Sequence, residues 1–304
     1  MDPMLAPAAQ FPLIYRGHQD AIFALSWSPD GRYLASGSRD ASVRLWEANS
    51  GKDLWAYHGH STPVLSVAWS PDGKSLASGD TAGEVHIWCP LVDKPLMIYR
   101  GHKRWVRGLA WSLDGKLLAS GGDFGDSTVQ VWQAETGKPL YIYNRLYRVF
   151  AVGWSPTGER LAACAFTGGV HTWHALDNTR EFFYDEQSKP LYALRWSPAG
   201  SMLASAGQTG QVTISEDLTG NIHRQYTAHT RAVKALDWSP DGKFLASGGD
   251  DLLLRIWSAQ TGADQQIYAG HTSWIRGLAW SPDRHLLAST SERAVHILQI
   301  PGQS

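Results

Sequence analysis

A hydrolytic triad needs a hydroxyl nucleophile, an imidazole base and a carboxylate that orients the base, and this chain offers such a set three times. His18, Ser36 and Asp40 form one, His102, Ser120 and Asp126 a second, and His229, Ser247 and Asp251 a third. An active site occurs once, so a trio in triplicate reads as a structural device. The twelve histidines raise the question of a metal. Five of them (His18, His60, His102, His229, His271) follow Gly or Ala, while His86, His171 and His296 share a strand position where other copies carry Arg44, Gln130, Thr213 and Arg255. That position reads as a polar strand face. His171 and His174, three apart on an extended strand, point to opposite faces and cannot chelate together. Gly73-Lys74-Ser75 has the end of a phosphate loop, but Ala68 stands where the loop needs its first glycine, and no helix opens there. Carboxylates do not pair at a spacing suited to general acid–base work. These residues therefore predict no metal, no cofactor and no catalysis.

A period places them. Trp27, Trp69, Trp111, Trp154, Trp196, Trp238 and Trp280 lie 42, 42, 43, 42, 42 and 42 residues apart, each followed by Ser. A constant interval near 40 along a whole chain signals stacked or radial repeats. It displaces the two-domain division that a length of 304 would suggest. In the first copy, residues 21–27 form an apolar run that ends at Ser28-Pro29-Asp30-Gly31, a tight turn because proline presets φ and glycine tolerates positive φ. Residues 33–37, 42–46 and 53–58 follow between further turns. Such short runs, rich in β-branched and aromatic residues and bounded by Gly, Pro, Asn or Asp, are strands. None is long enough to stand as a helix.

Four antiparallel strands repeated seven times predict an all-β, seven-bladed propeller. Residues 12–16 (PLIYR) match the strand that precedes the other Gly-His pairs, and no fourth strand can follow Leu298. The N-terminal strand is therefore predicted to complete the last blade and close the ring. Residues 1–10 are expected to form a disordered arm, 11–300 one propeller and 301–304 a tail.

Gly17-His18, Gly59-His60, Gly101-His102 and Gly270-His271, with Ala228-His229 as a near match, stand nine residues before the periodic tryptophan. LASG recurs at 76–79, 118–121 and 245–248, and strand ends such as Val43–Trp46 and Val129–Trp132 close the third run. In this combination the chain resembles the WD-repeat family, in a bacterial-type, highly regular form, although Asp never follows the strand-end tryptophan. The resemblance implies a hydrogen-bonded His–Ser–Asp–Trp network in each well-formed blade. Carried over, it is complete as His18–Ser36–Asp40–Trp46, His102–Ser120–Asp126–Trp132 and His229–Ser247–Asp251–Trp257. The second copy has Ala82 at the Asp position. The fourth keeps only Trp173, the fifth only Ser205, and the seventh has Glu292 and Leu298 in place of Asp and Trp.

The same resemblance implies partner contact through the top face around the channel. The fifth residue after each His position reads Phe23, Leu65, Arg107, Phe150, Tyr192, Lys234 and Arg276. The third reads Ala21, Pro63, Trp105, Arg148, Pro190, Ala232 and Trp274. The residue before each Asp position includes Arg39, Gly125, Phe166 and a single acid, Asp250. Cations interleaved with aromatics are the residue types that dominate interface energetics. The chain is thus expected to be a non-catalytic scaffold whose top face takes a partner protein or an acidic or phosphorylated peptide. The candidate contacts are Phe23, Arg39, Trp105, Arg107, Arg148, Phe150, Tyr192, Lys234, Trp274 and Arg276. Binding of nucleic acid or nucleotide phosphate through the same face is the alternative, disfavoured by a net charge of −1. A sensor or docking arm of a signalling assembly is a third reading. Cys89 and Cys164 make no disulfide framework. No signal-peptide pattern and no apolar run of about 18 residues is present, so a cytoplasmic monomer is expected.

Overall fold

The computed structural model describes residues 12–300 apart from 93, 180 and 186. The strands form seven four-stranded antiparallel sheets, the blades of a propeller. Blade 1 comprises Ile22–Trp27, Tyr33–Ser38, Val43–Glu47 and Asp53–Tyr57 in spatial order, and blades 2 to 6 repeat that order. Blade 7 takes three strands from the C-terminal end and its fourth, Leu13–Tyr15, from the N-terminal end, with Ile14 opposite His296. This clasp closes the ring and covers the outer edge of Ala294–Gln299, which would otherwise be unpaired. Among the described residues no helix is long and apolar enough to cross a membrane.

The first strand of each blade packs on that of the next, blade 7 on blade 1, so these strands surround an axial channel. The second strand lies between two neighbouring blades, which explains the recurring small residues. A methyl group on Gly37 would sit 2.8 Å from Val64 Cγ1 of the next blade. Farther out, a tyrosine from five of the seven fourth strands stacks on the third-strand tryptophan of the following blade. Tyr15 lies 4.5 Å from Trp46, Tyr57 4.8 Å from Trp88, Tyr99 4.2 Å from Trp132 and Tyr226 4.4 Å from Trp257. The Gly-His glycine makes room for that ring: a Cβ on Gly101 would fall 2.2 Å from Tyr99 Oη. The tyrosine hydroxyls bond to the polar strand position identified above, Tyr57 to His86, Tyr99 to Gln130 and Tyr143 to His171, at 2.8, 2.6 and 2.7 Å. Sequence reading missed this partnership, which accounts for three histidines once Tyr268–His296 is added at 2.8 Å.

The inner networks are built as follows. His229 Nδ1 lies 2.8 Å from Asp251, its Nε2 2.7 Å from Ser247 Oγ, and Trp257 Nε1 donates to Ser247 at 3.1 Å. The ionised Asp251 can only accept, so Nδ1 carries a hydrogen, and a bare Nε2 then takes the serine hydroxyl's hydrogen while the serine oxygen accepts from the indole. In blade 1, His18 bonds Ser36 at 2.8 Å and Asp40 at 2.9 Å, but Trp46 Nε1 has no hydrogen-bond partner among the described residues, so the fourth member drops out. In blade 3, Ser120 bonds both His102 and Trp132, while His102 Nδ1 sits 3.2 Å from Asp126 outside hydrogen-bond geometry. Blade 2 corrects the reading of Ala82 as a lost acid. Asp80, two residues earlier at the end of Leu76–Asp80, bonds His60 at 2.9 Å, and His60, Ser78 and Trp88 complete the set. Blade 7 keeps only His271–Ser289 at 2.8 Å, and burial pushes the His271 imidazole down to about 3.

Candidate functional site

The residues predicted at the fifth position after each His all face the channel: Phe23, Leu65, Arg107, Phe150, Tyr192, Lys234 and Arg276. They stand near the start of each blade's first strand, and with the deeper strand residues they enclose a cavity of about 130 Å³. The cations do not stand free among the aromatics. Arg107, Arg148, Lys234 and Arg276 each lie over a ring. The Arg107 guanidinium is 5.0 Å from the Trp105 centroid and 5.6 Å from Phe150. Arg148 lies 5.5, 5.5 and 5.0 Å from Phe124, Phe150 and Phe166. Lys234 Nζ sits 3.4 Å over Tyr192, and Arg276 lies 5.3 Å from both Phe23 and Trp274.

One acid was misplaced by sequence alignment. The Asp123 amide bonds to the Trp105 carbonyl just as the Arg39 amide bonds to Ala21, so Asp123, not Gly125, occupies the mouth position of blade 3. The cause is a turn two residues longer than its counterpart, visible where Gly122 bonds Thr128 while Ser38 bonds Ser42. The 43-residue interval was the signal that could have exposed it. Asp123 is fully buried and holds Arg107 Nε at 2.5 Å and Arg148 Nε at 2.8 Å. The mouth therefore carries two acids, Asp123 and Asp250, where the sequence suggested one.

The remaining charges are uneven. Lys234 lies 3.8 Å from Asp250. Burial, with Arg276 and Arg107 nearby, pushes its ammonium below the ordinary range against the pull of Asp250. Arg276 has no carboxylate within ion-pair distance among the described residues, and burial, Arg107 and Arg39 push it down too. Arg39 is exposed, 4.0 Å from Asp20. The hydrogen bond to Asp123 raises Arg148. The structure thus gathers Trp105, Arg107, Arg148 and Phe150 into one cluster and sets Phe23, Trp274 and Arg276 in another. Arg107 and Arg276 feel each other's charge across the mouth. Deeper in the channel wall Asp237, 3.7 Å from Arg195, is pushed up to about 6 by burial.

The trios have the polarity of a hydrolytic triad, yet Ser36, Ser120 and Ser247 are wholly buried, and no acyl group can reach their Oγ atoms. His60, Asp80 and His86 bring their ligand atoms within 4.8 Å of one another. Their rings stack at 3.9 Å, and every ring nitrogen already has a partner: Ser78 and Asp80 on His60, Tyr57 and Glu84 on His86. A metal ion would have to displace a hydrogen-bond partner from a ring nitrogen of each histidine to enter, so the cluster reads as packing.

Three relatives match single repeats. They are the ribosome biogenesis protein bop1-A of Xenopus laevis (52% identical over 40 residues), the probable cytosolic iron-sulfur protein assembly protein 1 of Phaeosphaeria nodorum (58% over 38) and protein Notchless of Drosophila melanogaster (56% over 34). The stretches cover 13%, 12% and 11% of this chain but only 6%, 9% and 7% of those proteins. These relatives are eukaryotic, so the regularity of the repeats does not support the expected bacterial type. Residues 10–47, 51–89, 93–133, 220–258 and 262–297 match the family described as WD domain, G-beta repeat, while 134–219, which holds blade 4 and the first three strands of blade 5, does not. Five matched repeats in a closed ring of seven blades settle the kinship: the chain belongs to the WD40 family.

Proposed function

We propose that this chain is a non-catalytic interaction platform that binds an acidic or phosphorylated segment of a partner protein at the mouth of its channel. The observation that carries this reading is the imbalance there. Arg107, Arg148, Lys234 and Arg276 meet only Asp123 and Asp250, on a chain whose overall charge is −1. Aromatic faces hold the cations in place, so little side-chain freedom is lost when a partner binds. The names of the matched relatives belong to different processes, and a one-repeat match carries the repeat to this chain without the process. Confinement of the cations to one mouth favours a protein segment over a nucleic-acid strand, which wants a long basic track.

Arg276 is the clean handle for a test. Arg107→Glu would set a second carboxylate against buried Asp123 and lower stability. In contrast, Arg276→Glu with Arg39→Glu touches no buried acid. This double variant is expected to keep its melting temperature and to lose at least tenfold in affinity for partners that wild type captures, with the association rate hit hardest. Unchanged capture would move the site to the outer rims of the blades. A steep loss of wild-type binding with salt, as counterion release requires, would favour the nucleic-acid reading.

A further inference from the structure

We infer that Arg107 and Arg148 form a clamp for one phosphate monoester, carried by a phosphorylated side chain of the partner. The inference rests on reading the mouth as the partner site and names the chemistry of one part of it. Both arginines meet Asp123 through Nε alone, one on each carboxylate oxygen. Neither guanidinium has a hydrogen bond at its Nη atoms among the described residues, and both side chains keep about a quarter or more of their surface exposed, 31% and 25%. Arginine frequently meets a carboxylate through two nitrogens at once. Here the acid takes the inner nitrogens and leaves both outer edges open.

The supporting parts are arranged to keep them so. Asp123 sits in the lengthened turn of blade 3, wholly buried, and its position fixes both guanidiniums from below. Arg148 holds a left-handed backbone with φ of 56°, rare for a residue with a side chain, and its amide bonds at 3.1 Å to Ser127, itself at φ 59°. Backbone conformations of this kind persist where surrounding contacts over-determine them. Phe150 lies against both guanidiniums, and Phe124 and Phe166, 51% and 40% exposed, stand beside Arg148 at the open side.

Charge and oxygen count then select the ligand. Two arginines and one buried aspartate leave the cluster with one positive charge, and Arg276 adds to it across the mouth. A carboxylate brings one negative charge and two oxygens, enough for a single fork. A phosphodiester brings the same. A phosphate monoester brings about −1.5 to −2 at pH 7 and three terminal oxygens, which two forks can share. The exposed phenyl rings favour an aryl ester over an alkyl one.

Calorimetric titration of the intact protein with phenyl phosphate, methyl phenyl phosphate and benzoate tests this directly. Phenyl phosphate is expected to bind at least tenfold more tightly than the other two at pH 7.5, and to weaken as pH falls through about 6, where the monoester loses its second charge. Arg107→Lys and Arg148→Lys keep the charge but remove the fork, and each should lower that affinity at least tenfold. Benzoate or the diester binding within threefold of phenyl phosphate would overturn the clamp, and so would lysine variants that bind like wild type. The ligand series uses unaltered protein, so a folding defect in a variant cannot obscure it. Should all three ligands fail to bind while Arg276→Glu/Arg39→Glu still loses the protein partner, the clamp falls and the interaction platform stands.

Discussion

Blades 3 and 4 are neighbours built on the same strand ladder, yet their interiors differ. In blade 3 a buried serine bridges His102 and Trp132. In blade 4 the positions of histidine, serine and aspartate hold Arg145, Ala163 and Thr167, and Trp173 Nε1 donates instead to Tyr141, whose hydroxyl donates to the Ala175 carbonyl at 2.8 Å. Blade 5 goes further: Gln187 pairs with Thr209, and Asp217 reaches back to Arg160 of blade 4 at 2.7 Å. Four antiparallel strands and a buried apolar layer persist in every one of these blades. The polar network is thus an addition to the blade rather than its foundation. Blade 4 replaces the network as a unit, and the family match lapses over the same residues.

The sharpest way to break the regular half is at its seam. Removing residues 1–17 strips blade 7 of Leu13–Tyr15 and takes the Tyr15 ring from Trp46. Loss of a buried aromatic alone costs about 3–5 kcal/mol. A fall in melting temperature of roughly 10 °C or more is expected, with concentration-dependent association through the exposed edge. An unchanged melting curve would mean that the clasp contributes nothing.

Next in size are the network acids. Asp80→Ala and Asp251→Ala should each cost about 1–3 kcal/mol in denaturant unfolding, because each leaves a buried imidazole N–H without an acceptor, and Asp40→Ala should cost less, because Ser42 Oγ stays 3.2 Å from His18 Nδ1. Asp126→Ala belongs at the low end, given its poorer alignment with His102. Thr167→Ala and Thr209→Ala, at the matching places in blades 4 and 5, should stay within about 0.5 kcal/mol. Equal losses in the two groups would erase the distinction between the two kinds of blade.

The smallest effect is a difference in sign with pH. Burial alone would raise the Asp251 carboxyl, but the hydrogen bond and charge of His229 outweigh it and hold the group below the ordinary range. Its contribution is present above about pH 4 and is lost as pH falls through the lowered folded value. Asp217 behaves oppositely. Burial raises it despite Arg160, so its ionisation erodes stability as pH rises from about 4 through the raised value. Subtracting Asp251→Asn from wild type between pH 3 and 7 should give a curve that rises with pH, and subtracting Asp217→Asn one that falls. Curves of the same sign would contradict the environments described.

Much of this was legible in the residues because the repeat is written locally. Alternating apolar runs, SPDG turns and the fixed tryptophan interval depend on neighbours a few positions away, and they were enough for the blade count. PLIYR, by likeness to the strands before other Gly-His pairs, was enough for the closure. The mouth was half legible. Its cations and aromatics stood at repeat-equivalent positions, but alignment put Gly125 where Asp123 stands and passed over Phe124, because a lengthened turn slides the register of everything within it.

The sequence by itself determined the ladder, the number of blades and the ring of cations and aromatics, since each follows from period and pattern. Asp40 with His18 and Asp251 with His229 were read from the repeat, but tertiary structure alone decided the partners of Asp80 and Asp123. Asp80 reaches His60 from a strand end, and Asp123 reaches Arg107 on its own blade and Arg148 on the next. A carboxylate acts over about 3 Å, and whether two groups come that close depends on turn length, backbone angles and the packing of one blade against another. None of these is carried by a repeat's spacing.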